Sequence, residues 1–528
     1  MGPRTLVLLA LALVLSLPFV VRTLAGSGAP PAAARDPNAV RLVIITPHVE
    51  QIRDEFAAAF DRWHFRTHGQ HAVIDWRVPG GTSDIVKQLE ATFEAAARKG
   101  LIDAQGRVPP GEAGADLFFG GGSYEHGKMK AEHKAATPDG RTVTYRMGRP
   151  AGFDKATLDA LYGDNKIGTQ NLYDPDQYWL GTALSGFGIV YNRDVLKTLD
   201  LPEPRTFADL TDPRYFNLLA LADGRQSGSV TTTYDSIMNK EGWDRGWRIL
   251  REMSANARYF ASSSTRPPID VSQGEAAAGL AIDFYGRGQA QYLLAPGQDP
   301  REGRVGYVDP EGAAYIDADP VSILNGCQDF DLARRFVEFC LTDEAQALWQ
   351  FHALTSPAAR TDAPGYPKSP DGRPFGPETN ELRRMPVRRE MYRRYAELFV
   401  DKTDPFTIAI DVPSRGWRSL IAPLMAAMAI DTSHDLRAAW RALTAARAAA
   451  KDGRFPADRL AEMERLFYAM PTHTMRDGTT LELSEKNYKA ISDDTKKWTD
   501  LDHGRRSLIA YTTFFRENYR RVTALGPP

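Results

Sequence analysis

Cysteine is nearly absent: Cys327 and Cys340 are the only two in 528 residues. Neither lies near the N-terminus, which excludes lipid attachment through an N-terminal thioether. Cys340 sits inside FVEFCL on an apolar helical face, where a thiol packs as a small hydrophobe. A single bridge is chemically open outside the cytoplasm, but two free thiols are expected. Charge of one sign is also missing: 65 basic against 67 acidic residues leave a net charge of −2. Nothing in that balance asks for nucleic acid or for a strongly charged partner. Catalytic signatures are lacking too. The chain contains no GxSxG elbow, no HExxH and no GxxxxGK[ST] phosphate loop, and GFGIVYN lacks the full GxGxxG spacing. Its ten histidines are scattered. His64, His68 and His71 in WHFRTHGQH come closest to a metal cluster, but no acid or cysteine stands at ligand spacing. They are expected in a turn between helix and strand, facing solvent. No pair of carboxylates declares itself as a glycosidase pair.

Only one long apolar run is present, Leu6 to Val21, broken by Ser16 and Pro18. Arg4 precedes it and small residues follow near Ala25, so residues 1–25 read as a secretory signal peptide. The alternative is an uncleaved N-terminal anchor, although the run is slightly short of the ~20 residues that cross a bilayer. Either way the expected location is periplasmic or otherwise extracytoplasmic. Residues 26–39, rich in Ala, Pro and Gly, read as a linker.

What is present is a folded composition, 43% hydrophobic and 25% charged, in a chain too long for one core. RLVIIT, AVIDWRV and ADLFFGGG are strand-like runs. They alternate with PHVEQIRDEFAAAFDRW, where Ile52, Phe56, Phe60 and Trp63 recur at helical spacing, and with PGGTSDIVKQLEATFEAA. This order predicts a parallel α/β sheet whose ligands meet the carboxyl ends of the strands. His48, Thr82, Ser83 and Gly120 to Ser123 fall there. A second unit opens after about Leu180, with a strand over Gly188 to Tyr191, then LLALAD and GRQSGSVTTTYDSI. YFASSSTRPPIDVSQGEAAAGLAIDFYG follows, read as a polar loop, a helix through GEAAA and a strand that ends at Asp283 and Tyr285. DFDLARRFVEFCLTDEAQALWQF reads as one amphipathic helix, and the chain after about Pro357 as a Pro/Gly loop followed by helices. No internal sequence repeat is visible.

Gly80-Gly81-Thr82-Ser83 and Ser227-Gly228-Ser229 each place small residues and hydroxyls at a helix N-terminus. Free backbone N–H groups and the helix dipole favour an anion there. Each hydroxyl also reads simply as a helix cap.

The order of landmarks resembles an extracytoplasmic solute-binding protein of an ABC importer, in the ferric-ion-binding-like branch. The pieces, in order, are IITPHVEQIRDEFAAAF, VPGGTSDIVKQL, GADLFFGGG, ALSGFGIVYNRDVL, SGSVTT, SQGEAAAGLAIDFYGRG, DPEGAAYIDADPVSIL and ARRFVEFCLTDEAQALW. The resemblance implies a two-lobe α/β periplasmic-binding-protein fold (type II), each lobe a mostly parallel sheet flanked by helices. Lobe 1 is expected over 40–183 plus 304–365 and lobe 2 over 184–303, with 366–528 a helical region that completes and extends the fold. Hinges are expected near Ser185 to Gly188 and Arg304 to Val308. It further implies a cleft lined by His48, Gly81, Thr82, Ser83, Gly121, Gly122, Ser185, Ser227, Gly228, Ser229, Ser264, Asp283, Tyr285 and Glu311. No catalytic residue and no cofactor are called for. The implied partners are a small solute or ion and a membrane permease, with the protein a monomer.

In the ferric branch the metal is held by a histidine after the first strand, a glutamate after the third and two adjacent tyrosines. His48 matches the histidine and Tyr285 the second tyrosine, so these two would hold iron. Phe284 takes the place of the first tyrosine, and the glutamate's place falls in Gly120-Gly121-Gly122. Fe3+ as cargo would thus lose two of three anionic side chains, which favours a phosphorylated or carboxylated organic solute. A solute-sensing receptor and an exported hydrolase are the competing classes. The hydrolase predicts a nucleophile–base pair, and none is seen.

Overall fold

The computed structural model describes residues 36–294, 302–310, 314–409 and 411–527. The apolar runs form strands β1 (Val40–Ile45), β2 (Ala72–Arg77) and β3 (Leu117–Phe119). They are followed by β4 (Leu180–Asn192), β5 (Leu219–Ala222), β6 (Ala257–Ala261) and β7 (Ala278–Ile282), then by β8 (Val305–Val308) and β9 (Ile316–Leu324). These strands join one continuous path, β2-β1-β3-β9-β4-β7-β5-β6, with β8 also bonded to β4. Strand order shows how the path is built. β2, β1 and β3 are mutually parallel, and β9 then runs antiparallel to β3 and to β4. On the other side β6, β5 and β7 are parallel, and β4 runs antiparallel to β7 and to β8. Each half therefore has the order 2-1-3-n-4 with the fourth-listed strand reversed. The topology repeats although the sequence does not. This is the two-lobe type II architecture.

β4 is the seam. Leu180–Gly186 pairs with β9 and Phe187–Asn192 pairs with β7, so the chain changes lobes between Gly186 and Phe187. All thirteen residues of β4 are buried. A strand covered on both faces carries no alternation, which is why the sequence displays only its last third as a strand. The return crossing differs from the expectation at Arg304 to Val308. Val305–Val308 pairs with Ile189–Asn192 inside the second lobe, so the chain leaves that lobe after Val308 and before Ile316.

Helices cover both lobes. α1 (Glu50–His68) buries Ile52, Phe56, Phe60 and Trp63, and α2 (Thr82–Arg98) buries Ile85, Val86, Leu89 and Phe93. Three expectations fail here. The helix runs on to His68, and His64, four residues beyond Phe60, is completely buried, with Nδ1 2.7 Å from the Gln70 carbonyl. It is a packed core histidine and not a solvent-facing one; His71 bonds Asp61 at 2.9 Å. GEAAA is not helical either. The helix Arg266–Gln273 stops at Gly274, whose φ of 80° is the left-handed value glycine tolerates. The amphipathic stretch after Asp329 is two helices, Phe330–Cys340 and Asp343–Gln350, parted at Thr342, which caps the second. Cys327 and Cys340 are free and buried.

The C-terminal region packs on both lobes. Met385 and Pro386 pair with Leu184 and Ala183 of β4, so this part belongs to the first-lobe sheet. The helices Ser433–Lys451, Ala457–Tyr468 and His503–Leu525 close the core of the second lobe, where Trp440, Phe467 and Tyr519 join Leu219, Leu221 and Leu250. Arg251, 1% exposed in that lobe, reaches the carbonyls of Phe467 and Ala469. Among the described residues no helix is long and apolar enough to cross a membrane. The segment called a signal peptide or anchor, and most of the linker, lie outside the described residues.

Candidate functional site

A cavity of about 450 Å3 opens between the lobes at the carboxyl ends of β1, β3 and β7. Its size suits a small solute. His48 enters from the loop after β1, and Gly121 and Gly122 from the turn after β3. Gly81 and Thr82 come from the start of α2, and Ser185 from β4 beside the lobe change. From the second lobe come Ser227 and Ser229 at the start of α3 (Gly228–Glu241), Ser264 from the loop after β6, and Tyr285. Ten of the fourteen expected positions therefore meet at one gap.

The other four do not line it. Ser83 is in the first turn of α2 but outside the wall. Gly228 faces Glu125 instead; a Cβ there would lie 2.7 Å from Glu125 Oε1. Asp283 was expected to point into the cleft, yet it is completely buried beneath it, where burial pushes its carboxyl up to about 7 despite the opposing charge of Arg287. β7 ends at Ile282, which does face the cavity, and the next residue starts a helix and turns away. Glu311 lies outside the described residues.

Three helix N-caps, Gly81, Ser227 and Thr265, stand in the cavity wall. Gly81 makes no side-chain cap bond, which leaves backbone N–H groups at that end for another acceptor; at the Thr265 end Pro267 and Pro268 carry no N–H, and the Thr265 and Arg266 N–H groups bond Ser263. Hydroxyls link into a strip: Ser227 Oγ is 3.1 Å from Ser229 Oγ, and Ser229 Oγ donates to Ser264 Oγ at 3.0 Å. Thr82, Ser185, Thr232, Ser262 and Ser263 extend it around the wall.

Two arginines, Arg53 and Arg384, also line the cavity and were not legible in the sequence. The Arg384 guanidinium lies 4.0 Å from the Phe284 ring centroid and pairs with Asp319. Burial draws its pKa down to about 10, so it keeps its charge at neutral pH. Asp319, on β9, also accepts the Gly121 N–H at 2.8 Å, while Asp317 accepts the Ser123 N–H at 3.1 Å. The two aspartates anchor the glycine turn from below. His48 Nε2 is 3.4 Å from Asp319 Oδ2, and its Nδ1 has no protein partner. Burial first, then Arg384 and Arg53, hold the imidazole far below its ordinary pKa, so it is neutral. Gly120 is required beside it: with φ of 93°, a Cβ there would fall 2.4 Å from His48 Nε2. Burial raises the Tyr285 phenol, against the pull of Arg384.

The lobes touch along the rim. A Cβ on Gly81 would come within 2.7 Å of the Gln226 carbonyl, and Lys87 Nζ donates to the Arg225 carbonyl at 3.3 Å. Beyond the cavity Arg418, first residue of the helix Arg418–Met425, donates to Glu125 of the first lobe at 2.9 Å. It also donates to Thr232 Oγ1 of the second at 2.8 Å. Both side chains of this ion pair are nearly sealed from water, at 10% and 6% exposure.

The family model described as bacterial extracellular solute-binding protein matches residues 148–377. That segment contains β4 to β9 and the helices Phe330–Cys340 and Asp343–Gln350, and it is similar to solute-binding-protein sequence. Over 169 residues the chain is 28% identical to the phosphoglycerate transport regulatory protein PgtC of Salmonella typhimurium, covering 32% of this chain and 40% of that one. It is 30% identical to an uncharacterized protein of Haemophilus influenzae over 31% of this chain and 45% of that one. The chain thus spans under half the length of these curated relatives. Among solved structures, the fructose-6-phosphate-bound periplasmic binding protein AfuA of Actinobacillus pleuropneumoniae matches with TM-score 0.44 and 18% identity, covering 58% of this chain and 81% of that one. The apo ferric ion-binding protein A of Pasteurella haemolytica matches with TM-score 0.43 and 13% identity, covering 66% and 86%. At such scores the fold assignment rests on the strand order above.

Proposed function

We propose that the protein is the extracytoplasmic solute-binding component of an ABC importer. It captures a small phosphorylated or carboxylated organic solute between its lobes and delivers it, as a monomer, to a membrane permease. The observation that carries this reading is the convergence of two helix N-termini, at Gly81 and Ser227, with Arg53 and Arg384 on one hydroxyl-lined cavity. Helix N-termini and guanidinium groups both favour negative charge. Asp283 is buried beneath the wall and does not line it; Asp84 is the acidic side chain that does. The name of PgtC, a phosphoglycerate transport regulatory protein, agrees with an anionic solute. Closure is a population shift about the lobe change at Gly186–Phe187, driven as far as the solute prefers the closed form.

Iron is the poorer cargo. Tyr285 stands alone as a phenol, Phe284 fills the place of the first tyrosine, and Glu125 is engaged by Arg418 outside the cavity. The test is calorimetric titration with a panel of phosphorylated and carboxylated small molecules beside their uncharged counterparts, with metal analysis of the purified chain. At least one anionic member should bind at least ~10-fold more tightly than its uncharged counterpart, since one charge-assisted hydrogen bond contributes about 1.5–3 kcal/mol. Ser229→Ala should weaken it. Stoichiometric iron with a phenolate-to-metal absorption band, or equal affinity for the uncharged counterparts, overturns the reading.

A further inference from the structure

In the C-terminal region, three side chains from three elements meet away from the cleft. His473 lies on the short strand Thr472–Thr474, Asp494 ends the helix Tyr488–Asp494, and His503 begins the helix His503–Leu525. Their ligand atoms all lie within 4.8 Å of one another. His473 Nε2 is 3.0 Å and His503 Nε2 2.5 Å from the same oxygen, Asp494 Oδ2.

We propose that His473, Asp494 and His503 form a zinc site that clasps the C-terminal helices, independent of the solute cleft. Two imidazole nitrogens and a carboxylate oxygen are a donor set that zinc takes at about 2.0–2.2 Å, usually with water in the fourth position. Tetrahedral ligands at that radius lie about 3.3–3.5 Å apart. The 3.0 Å pair is nearly there, and the 2.5 Å pair needs to widen by less than about 1 Å. His473 is completely buried, whereas Asp494 and His503 are part-exposed, so one side of the triad opens to water.

The surroundings orient two of the three ligands as a metal site requires. Tyr511 Oη is 2.8 Å from His473 Nδ1, so that nitrogen has a partner for its proton when Nε2 is turned to a metal. Asp494 Oδ1 accepts the Arg476 N–H at 3.3 Å, which leaves Oδ2 to the imidazoles. The Arg476 side chain donates to the Asp494 carbonyl at 3.1 Å and to Asp500 at 2.7 Å, with the exposed Lys496 also beside Asp500. Both cations lie beside Asp500, and Arg476 Nε is also 3.9 Å from Asp494 Oδ1, so Oδ2 is the oxygen that faces the histidines.

The test is zinc titration of the full chain after chelator treatment and desalting, followed by calorimetry, with cobalt(II) as an absorption probe of the coordination. One zinc per chain at micromolar affinity or tighter, a raised melting temperature and tetrahedral cobalt bands are expected. His503→Ala and Asp494→Asn should each lose at least tenfold in affinity, while His434→Ala, an exposed histidine elsewhere, should match the unaltered chain. Metal-free far-UV circular dichroism of His503→Ala separates ligand loss from unfolding; an unfolded His503→Ala passes the decision to Asp494→Asn. No stoichiometric uptake by the unaltered chain overturns the proposal. So does unchanged affinity in a folded variant.

Discussion

Arg418→Met should open the lobes without touching the solute. Arg418 lies outside the cavity wall, yet its guanidinium holds Glu125 across the lobe boundary at 2.9 Å. Burial pulls the guanidinium pKa down, but Glu125 and then Asp235 outweigh that pull and raise it, so Arg418 keeps its charge. Removing one partner of a buried ion pair leaves an uncompensated charge, at a cost of about 3–5 kcal/mol. Here the cost falls on the closed state alone, because Glu125 regains water when the lobes part. Taking the lower end, the closed population falls on the order of 100-fold relative to the open one, and apparent solute affinity falls with it. Small-angle scattering of the ligand-free chain should show a larger radius of gyration, and calorimetry with a solute that binds should show the weaker Kd. Glu125→Gln should act in the same direction. The double variant should recover much of the loss, since no unpaired buried charge remains. An unchanged scattering curve together with unchanged affinity in Arg418→Met would refute the reasoning. A double variant worse than either single one would do the same.

Two further outcomes test the structure. Asp283 rises from 3.8 to about 7 on folding, chiefly by burial, which corresponds to about 4 kcal/mol at most. For a carboxyl held protonated in the folded state this penalty is absent below the unfolded value, grows between pH 4 and 7, and is complete above 7. Asp283→Asn should therefore gain stability over the unaltered chain as pH rises from 5 to 8 in denaturant melts; a pH-independent difference would refute the assignment. A chain ending at residue 410 should not fold as a cooperative unit, because it strips Trp440, Phe467 and Tyr519 from the second-lobe core and leaves Arg251 without its carbonyl partners. Calorimetry showing an undiminished transition in that truncation would mean the helices are an appendage.

The residues that the sequence made legible are those whose local context carries its own signal. Gly80-Gly81-Thr82-Ser83 announces a helix start because glycine and hydroxyl residues precede an amphipathic run, and a strand end before it fixes which end of the sheet it occupies. His48 and Gly121 follow from the same rule. The failures have a different physics. His64 is one helical turn beyond Phe60 and two beyond Phe56, so its burial followed from the spacing, had the helix been extended past Trp63. Asp283 was misplaced because a strand alternates its faces only while it remains a strand. Once Ile282 ends β7, the helical step takes the acid below the cavity and brings Tyr285 back to it. Arg53 is on a helix whose apolar face alone is legible, and Arg384 sits in a stretch whose pairing with β4 depends on residues two hundred positions earlier. Such a residue has no local signature, because an arginine in a loop has the same sequence pattern whether it meets water or a buried aspartate. What distinguishes Arg384 is the company of Asp319 and Phe284, and only the closure of β9 against β4 brings those three together. The charge of the cavity wall is therefore supplied by long-range topology, while its hydroxyls and backbone N–H groups are supplied by local turns.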